Sequence, residues 1–432
     1  MNSFYEEFPT STELEWLEKV KIDLKGKNIE DVLHKFHPIE EVNYTSYGFS
    51  DEKNTKHSLP GQSDYARGGK TSNNDWNNCV LVPNDTPEIM NAFALKQLMN
   101  GATGLKIDLG EFTLKECQTL SKEIGFEHIV STFFYSTKEQ FDWLNSIADE
   151  GKLNGTAINI SNEDFGALKN IRSVLIKAID VQYAGGNVTQ EIAYALHKGH
   201  EALYQLIKEG FNVDDAAAKI KFQFGIGSNF FFELSKFKVF RSLWFTIVDA
   251  YQPEHACTAI PYIEAETGFL NKSLKDPHNN LLRQTTEALS AVLGGIDELT
   301  IRPYNAWSTD KDVNKTQRLG LNIALLLKEE SYLDKVIDPA GGAYILENLY
   351  DKIRENAWKT FQKLENKGID FLNIEIKNIS EKRLQLVNNK NNTLIGVNKY
   401  FNEVPSKSSW NVAVKTPFGK PLILEKDCKV EI

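Results

Sequence analysis

From Gly104 onward, short β-branched or apolar runs alternate with longer amphipathic stretches. Side chains repeat every two residues in a strand and every 3.6 in a helix, so this rhythm reads as successive βα units. The strand candidates are Gly104–Leu109, His128–Phe134, Thr156–Ile160, Ser173–Val181, Lys221–Ile226, Cys257–Ile263, Leu299–Pro303 and, more weakly marked, Val336–Ile337. A closed barrel needs eight, and the rhythmic region from Gly104 to about Tyr344 is close to the roughly 250 residues of such a barrel. An open doubly wound sheet fits the alternation as well.

The expected fold is therefore α/β, a (β/α)8 TIM barrel with an N-terminal helical extension and a C-terminal helical and irregular tail. Residues 1–100 are assigned to the extension and a connecting segment, 101–368 to the barrel, and 369–432 to a tail that packs on the barrel or on a partner. In the extension, Thr12-Glu13-Leu14-Glu15 reads as a capping box, with Leu14, Leu17, Val20 and Leu24 on one face and a stop at Gly26. Asn43 to Asn84, rich in Gly, Ser, Asn and Asp, reads as a long irregular connection. Asn187 is placed to cap a helix running to Gly210 with a polar far side. The aromatic stretch from Asn229 to Tyr251 predicts a helix buried on more than one side, and Leu346 to Leu364 a long amphipathic helix ended by Gly368.

Composition narrows the function. A formal charge of −10 without a clustered basic stripe argues against nucleic acid as the partner. The first residues have neither a positive n-region nor an apolar core, and no run approaches the roughly 18 apolar residues of a membrane span, so the expected location is cytoplasmic. Cys79, Cys117, Cys257 and Cys428 lack CxxC spacing and read as reduced thiols.

Several residues have spacings that chemistry could use. Gly225-Ile226-Gly227-Ser228-Asn229 links a strand to a helix, where backbone N–H groups can hold phosphate; Phe230 replaces the third glycine of a dinucleotide fingerprint, and a tight βα turn explains the segment without a ligand. His197 with His200, and His255-Ala256-Cys257, could supply metal ligands, but zinc needs three or four convergent donors, and surface histidines account for them. Glu264 and Glu266 follow the sixth strand candidate, where barrel enzymes keep acid/base groups, and a solvated loop is the plainer reading. Asp180 lies near the end of the fourth strand candidate with a helix cap as its plainer role. The bulky residues of Val174–Ile179 and Lys221–Ile226 predict a filled barrel axis.

Taken together, Phe224-Gly225-Ile226-Gly227-Ser228-Asn229-Phe230-Phe231, Val336-Ile337-Asp338-Pro339-Ala340-Gly341-Gly342-Ala343-Tyr344 and Leu394-Ile395-Gly396-Val397-Asn398-Lys399-Tyr400 resemble segments of the methylmalonyl-CoA mutases. Gly185 before Glu191-Ile192-Ala193-Tyr194, and Leu59-Pro60-Gly61 before Arg67-Gly68, extend the similarity from roughly residue 35 to residue 403. The resemblance implies a barrel threaded by a coenzyme-A thioester, with adenosylcobalamin on a separate C-terminal domain through an Asp-x-His-x-x-Gly loop. Here the Asp-x-His is Asp276-Pro277-His278, without the glycine and inside the barrel region, and 432 residues leave too little room for that domain.

The active-site positions depart as well. Ile179-Asp180 stand where catalytic subunits carry Tyr-His, Ile158-Asn159-Ile160 where Gln-Asn-Asp is expected, Gly69-Lys70-Thr71-Ser72 in place of a tyrosine-containing stretch, and Pro261-Tyr262-Ile263-Glu264-Ala265 in place of Arg-Thr-His-Ser-Gln. Isoleucine can neither donate hydrogen bonds nor transfer protons. The resemblance therefore implies a non-catalytic small subunit that binds no cofactor itself. A large subunit, its partner in a heterodimer, would hold adenosylcobalamin and interconvert methylmalonyl-CoA and succinyl-CoA. The alternative is a catalytic acyl-CoA mutase barrel served by a separate cobalamin protein, in which Asp180 and Glu264 or Glu266 replace the lost groups.

Overall fold

A computed structural model describes residues 12–48, 58–166, 168–309 and 313–429. The described chain opens with the helix Glu13–Asp23, whose capping box pairs Thr12 with Glu15 as the sequence predicts. Its apolar face is left largely uncovered, with Leu14 and Ile22 exposed and Trp16 resting against Tyr47. A short antiparallel hairpin follows, β1 (His34–His37) and β2 (Val42–Thr45).

The barrel comprises β3 (Asn77–Leu81), β4 (Gly104–Asp108), β5 (Val130–Tyr135), β6 (Gly155–Asn159), β7 (Val174–Lys177), β8 (Ile220–Ile226), β9 (Tyr262–Thr267) and β10 (Glu298–Thr300). All neighbours are parallel, in the order β6-β5-β4-β3-β10-β9-β8-β7. The seam between β6 and β7 is drawn together by a parallel bridge of Thr156 to Arg172, with the Ala157 N–H donating to the Arg172 carbonyl at 2.8 Å. These eight strands and their helices form a (β/α)8 barrel.

The predicted number of strands was right, and one member was not. Asn77–Leu81, read as part of an irregular connection, is a barrel strand between β4 and β10. Its paired asparagines resemble a loop, yet Asn78 is buried: its side chain accepts from the Trp76 indole at 2.8 Å, and its backbone N–H donates to Thr103 Oγ1. Val336–Ile337 forms no strand. Other boundaries shift too. Cys257–Ile263 divides into a 3-10 turn, Ala256–Ala259, and the start of β9, while Ile179–Tyr183 is a short helix rather than the end of a strand.

Outward residues of β8 build the main core. Phe222 and Phe224 meet Phe240 at ring distances of 4.7 and 4.8 Å, and Trp244 lies 4.8 Å from Phe222. Burying each such ring contributes about 1.5–3 kcal/mol. The partners belong to the helix Phe230–Asp249, buried on several sides as its composition predicts. The helix Val188–Lys208 closes on the same strand at Gly199, where a Cβ would lie 2.7 Å from both Phe222 and Trp244.

The polar far side that the sequence suggests survives only in the second half of that helix, at Glu201, Tyr204, Gln205 and Lys208, while residues 188–197 are buried all round. The helix Tyr344–Lys367 packs against Val188–Lys208 with Ala357, Phe361 and Leu364, and ends at Gly368 with φ of 75°. After the helix Ile369–Asn388, the chain runs over the C-terminal mouth of the barrel. Backbone bonds of Thr309 to Ser409, Asn411 to Trp307 and Leu422 to Tyr183 hold it there, and Trp410, Val412 and Val414 pack on a cluster of Ile179, Tyr183, Phe269 and Trp307.

Candidate functional site

The strand period of two decides which groups of β9 enter the barrel. Tyr262, Glu264 and Glu266 share one face of the strand, alternating with Ile263, Ala265 and Thr267. Glu264 and Glu266 are 0% and 1% exposed, so the solvated-loop reading is overturned. A charge this deep survives only when paired and hydrogen-bonded, and both are.

Lys106 from β4 reaches both carboxylates, at 2.8 Å from Glu266. Lys221 from β8 lies 2.9 Å from Glu264 and 2.5 Å from Glu298 of β10, and donates to Thr132 of β5 at 3.0 Å. Arg302 donates to Glu266 at 2.6 Å, and Gln223 to Glu264 at 3.1 Å and Glu266 at 2.9 Å. The axis is thus filled as predicted, but by three carboxylates and three cations rather than by bulky apolar groups. Burial pushes the Glu264 carboxyl up; Lys106 and Lys221 more than reverse this and hold it below the ordinary carboxylate range. Glu266 is lowered in the same sense, against its burial, by Arg302 and Lys106. Both are held as anions with every oxygen engaged, a poor state for proton transfer near neutral pH.

Asp180 does not join them. It sits in the short helix Ile179–Tyr183 beyond the end of β7, half-buried, and burial pushes its carboxyl up to about 6 with partial opposition from Lys177. Tyr183, three residues on, does reach the axis and donates to Glu266 at 3.4 Å. That tyrosine and the charged ring from β4, β8 and β10 escaped sequence reasoning. Lysines inside strands were the available signal, since Lys106 and Lys221 occupy positions that share a face with barrel-inward neighbours.

A cleft of about 770 Å³ opens beside the axis, at the C-terminal ends of β7, β8 and β9. Its walls include Phe230, Phe231, Leu346, Leu394 and Ile395, and its floor includes Glu40, Glu191, Glu233 and Arg383. The Gly225 turn lies here, and its phosphate reading fails on geometry. The Gly225 N–H already donates to Glu191 at 2.7 Å, while Lys236 donates to the Gly225 carbonyl, to Glu191 at 2.9 Å and to Glu233. Two carboxylates beside the turn repel an anion.

His37 lines the same cleft, accepting at Nδ1 from the Glu40 N–H at 3.1 Å. Burial, reinforced by Arg383, pushes this imidazole down to about 4 and keeps it neutral. His197 and His200 are not free surface groups: Glu365 of the covering helix lies 2.6 Å from His197 Nδ1 and 3.5 Å from His200 Nδ1. His255 is an exposed side chain held to Asp214 at 3.2 Å.

The sequence pattern of the methylmalonyl-CoA mutase family matches residues 161–415. The chain belongs to that family. It is 30% identical to the methylmalonyl-CoA mutase small subunit of Porphyromonas gingivalis, over 92% of this chain and 71% of that one. It is 32% identical to a methylmalonyl-CoA mutase of Rhizobium meliloti over 54% of this chain and 34% of that protein, and 24% identical to the mitochondrial enzyme of Bos taurus over 89% and 60%. Apart from the small subunit, it spans about a third to three-fifths of these relatives. Among solved structures, Yersinia pestis DHPS matches with a TM-score of 0.35 at 12% identity, over 58% of this chain and 93% of that one.

The mutase-like segments serve as framework here. Arg67 of the Arg-Gly pair lies 3.4 Å from Asp338 of Asp-Pro-Ala-Gly-Gly, and Lys238 is 3.2 Å from Asp338 and 3.3 Å from Glu347. Asn398 ties its own loop to the preceding helix through the Asn392 and Val387 carbonyls. The residues do not suit the family's cobalt ligand loop. Asp276 accepts from Asn279 rather than from His278, whose exposed ring lies against Tyr304. Among the described residues no three His, Cys, Asp or Glu groups converge as a metal site, and no helix is long and apolar enough to cross a membrane.

Proposed function

We propose that this chain is the non-catalytic small subunit of an adenosylcobalamin-dependent methylmalonyl-CoA mutase. Its partner would be a homologous large subunit that holds the cobalamin and interconverts methylmalonyl-CoA and succinyl-CoA. The observation that carries this reading is the barrel axis: Lys106, Lys221, Arg302, Glu264, Glu266 and Glu298 occupy the space a thioester would thread, and each is tied to a partner. Clearing a path would separate buried charges, at about 3–5 kcal/mol for each broken pair. The name of the small-subunit relative adds support for assembly with another chain.

The catalytic alternative needs Asp180 to act with Glu264 or Glu266. Both glutamates are neutralised by lysine and arginine, and Asp180 stands apart, so that reading has no set of groups to perform it. Coexpression with a large mutase subunit, followed by size exclusion at micromolar concentration, tests the proposal. Co-elution, with turnover of methylmalonyl-CoA only when the large subunit is present, is expected. Separate elution, or turnover by this chain with a cobalamin protein alone, overturns it.

A further inference from the structure

The floor of the lateral cleft is one cation short. Glu40, Glu191 and Glu233 are all nearly buried, at 5%, 2% and 5% exposure. The basic groups among them are Lys236, 2.9 Å from Glu191 and 2.5 Å from Glu233, and Arg383, 4.0 Å from Glu40. His37 is neutral, and Arg283, which also lines the cleft, is turned to Asn280 and the Ile395 carbonyl. Lys272, beyond this group, is matched by Glu287 at 2.6 Å. Of the two Glu233 oxygens, Oε2 is held by Lys236, whereas Oε1 accepts no hydrogen bond among the described residues and stands over Gly227 in the cleft wall.

The cleft mouth carries large apolar side chains that the chain leaves bare. Phe231, Leu282 and Ile395 are 55%, 70% and 51% exposed, and they come from three separate segments. A small amine could neutralise the floor, but it would leave this rim in water. Exposed apolar patches beside a deep pocket are the usual mark of protein contact.

We infer that the cleft receives an apolar segment of the large subunit bearing one arginine or lysine, whose charged head meets Glu233 and whose neighbours cover Phe231, Leu282 and Ile395. This rests on the small-subunit reading above. In the free chain the excess negative charge is relieved locally: burial pushes the Glu191 carboxyl up to about 7, against the pull of Lys236 and with the help of Glu233. Arrival of a cation favours the ionised form, so docking releases a proton.

Titration calorimetry of the full chain with a large subunit, in two buffers of different ionisation enthalpy, tests this. Phe231→Asp and Leu282→Asp, at exposed positions that leave the core intact, are expected to weaken assembly at least tenfold; Glu233→Gln is expected to weaken it and to abolish the buffer dependence. If the wild-type chain does not assemble, the small-subunit reading fails and this inference with it. If wild type assembles and all three variants match it, the subunit reading stands and the cleft is not the interface. n-Butylguanidinium provides the last arm. Competition with the large subunit supports the assignment, whereas binding to wild type but not to Glu233→Gln, without competition, makes the cleft a small-cation site and overturns it.

Discussion

The barrel axis and the cleft beside it are built from the same ingredients and end differently. At the axis three carboxylates meet three cations, drawn from β4, β8, β9, β10 and the segment just after β10, and each charge has an opposite one beside it. On the cleft floor three carboxylates meet two cations, Lys236 and Arg383, under an apolar rim. Buried charge closes a cavity when its signs balance, and it keeps a cavity receptive when they do not.

The axis offers the largest test of this contrast. Lys221→Met leaves Glu264 and Glu298 without their shared cation and is expected to cost about 3–5 kcal/mol in urea unfolding. A loss below about 1 kcal/mol would mean that water reaches the axis. Replacing the pair together, Lys221→Met with Glu298→Leu, is expected to recover most of that loss, because it removes one charge of each sign and leaves Glu264 and Glu266 with Lys106 and Arg302.

Two titrating groups distinguish the mouth from the cleft by the sign of their pH dependence. The carboxyl of Asp180 is raised from 3.8 to about 6, so the folded state binds the extra proton and stability falls as pH rises from about 4 to 6. His37 is lowered from 6.5 to about 4, so the unfolded state binds the extra proton and stability rises across about 4 to 6.5. Each effect is on the order of 1 kcal/mol after allowance for solvent screening. Unfolding series for Asp180→Asn and His37→Gln should therefore tilt the wild-type profile in opposite directions. The smallest effect belongs to the rim: Leu282→Gln is expected to change the stability of the isolated chain by no more than about 0.5 kcal/mol, since most of that side chain is already in water.

Local signals in the sequence were legible. Thr12 with Glu15 and Asn187 with Gln190 form the expected caps, and the aromatic helix Phe230–Asp249 is buried on more than one side. Seven of the eight strand candidates mark real strands, because alternating periodicity is a property of neighbouring residues. What depended on distant neighbours was not legible. Glu264 and Glu266 resemble a loop until Lys106 and Arg302, 158 and 36 positions away, are seen beside them. Asn77–Leu81 resembles a connection until β4 and β10 flank it. His197 resembles a surface group until the helix Tyr344–Lys367 covers it. The cleft depends on the most distant chain of all, bringing the hairpin at His37 against Asn229 and the Leu394 loop.

The alternation of β9 has a further consequence, for the way the chain reaches its native state. Sliding β9 by a single position against β8 would turn Ile263, Ala265 and Thr267 inward and send Glu264 and Glu266 toward the apolar helices, while Lys106 and Lys221 faced no anion. An all-aliphatic interior would tolerate such a slip far better. The ions at the centre therefore specify the alignment of β9, because a slipped register would leave buried charges of both signs without partners.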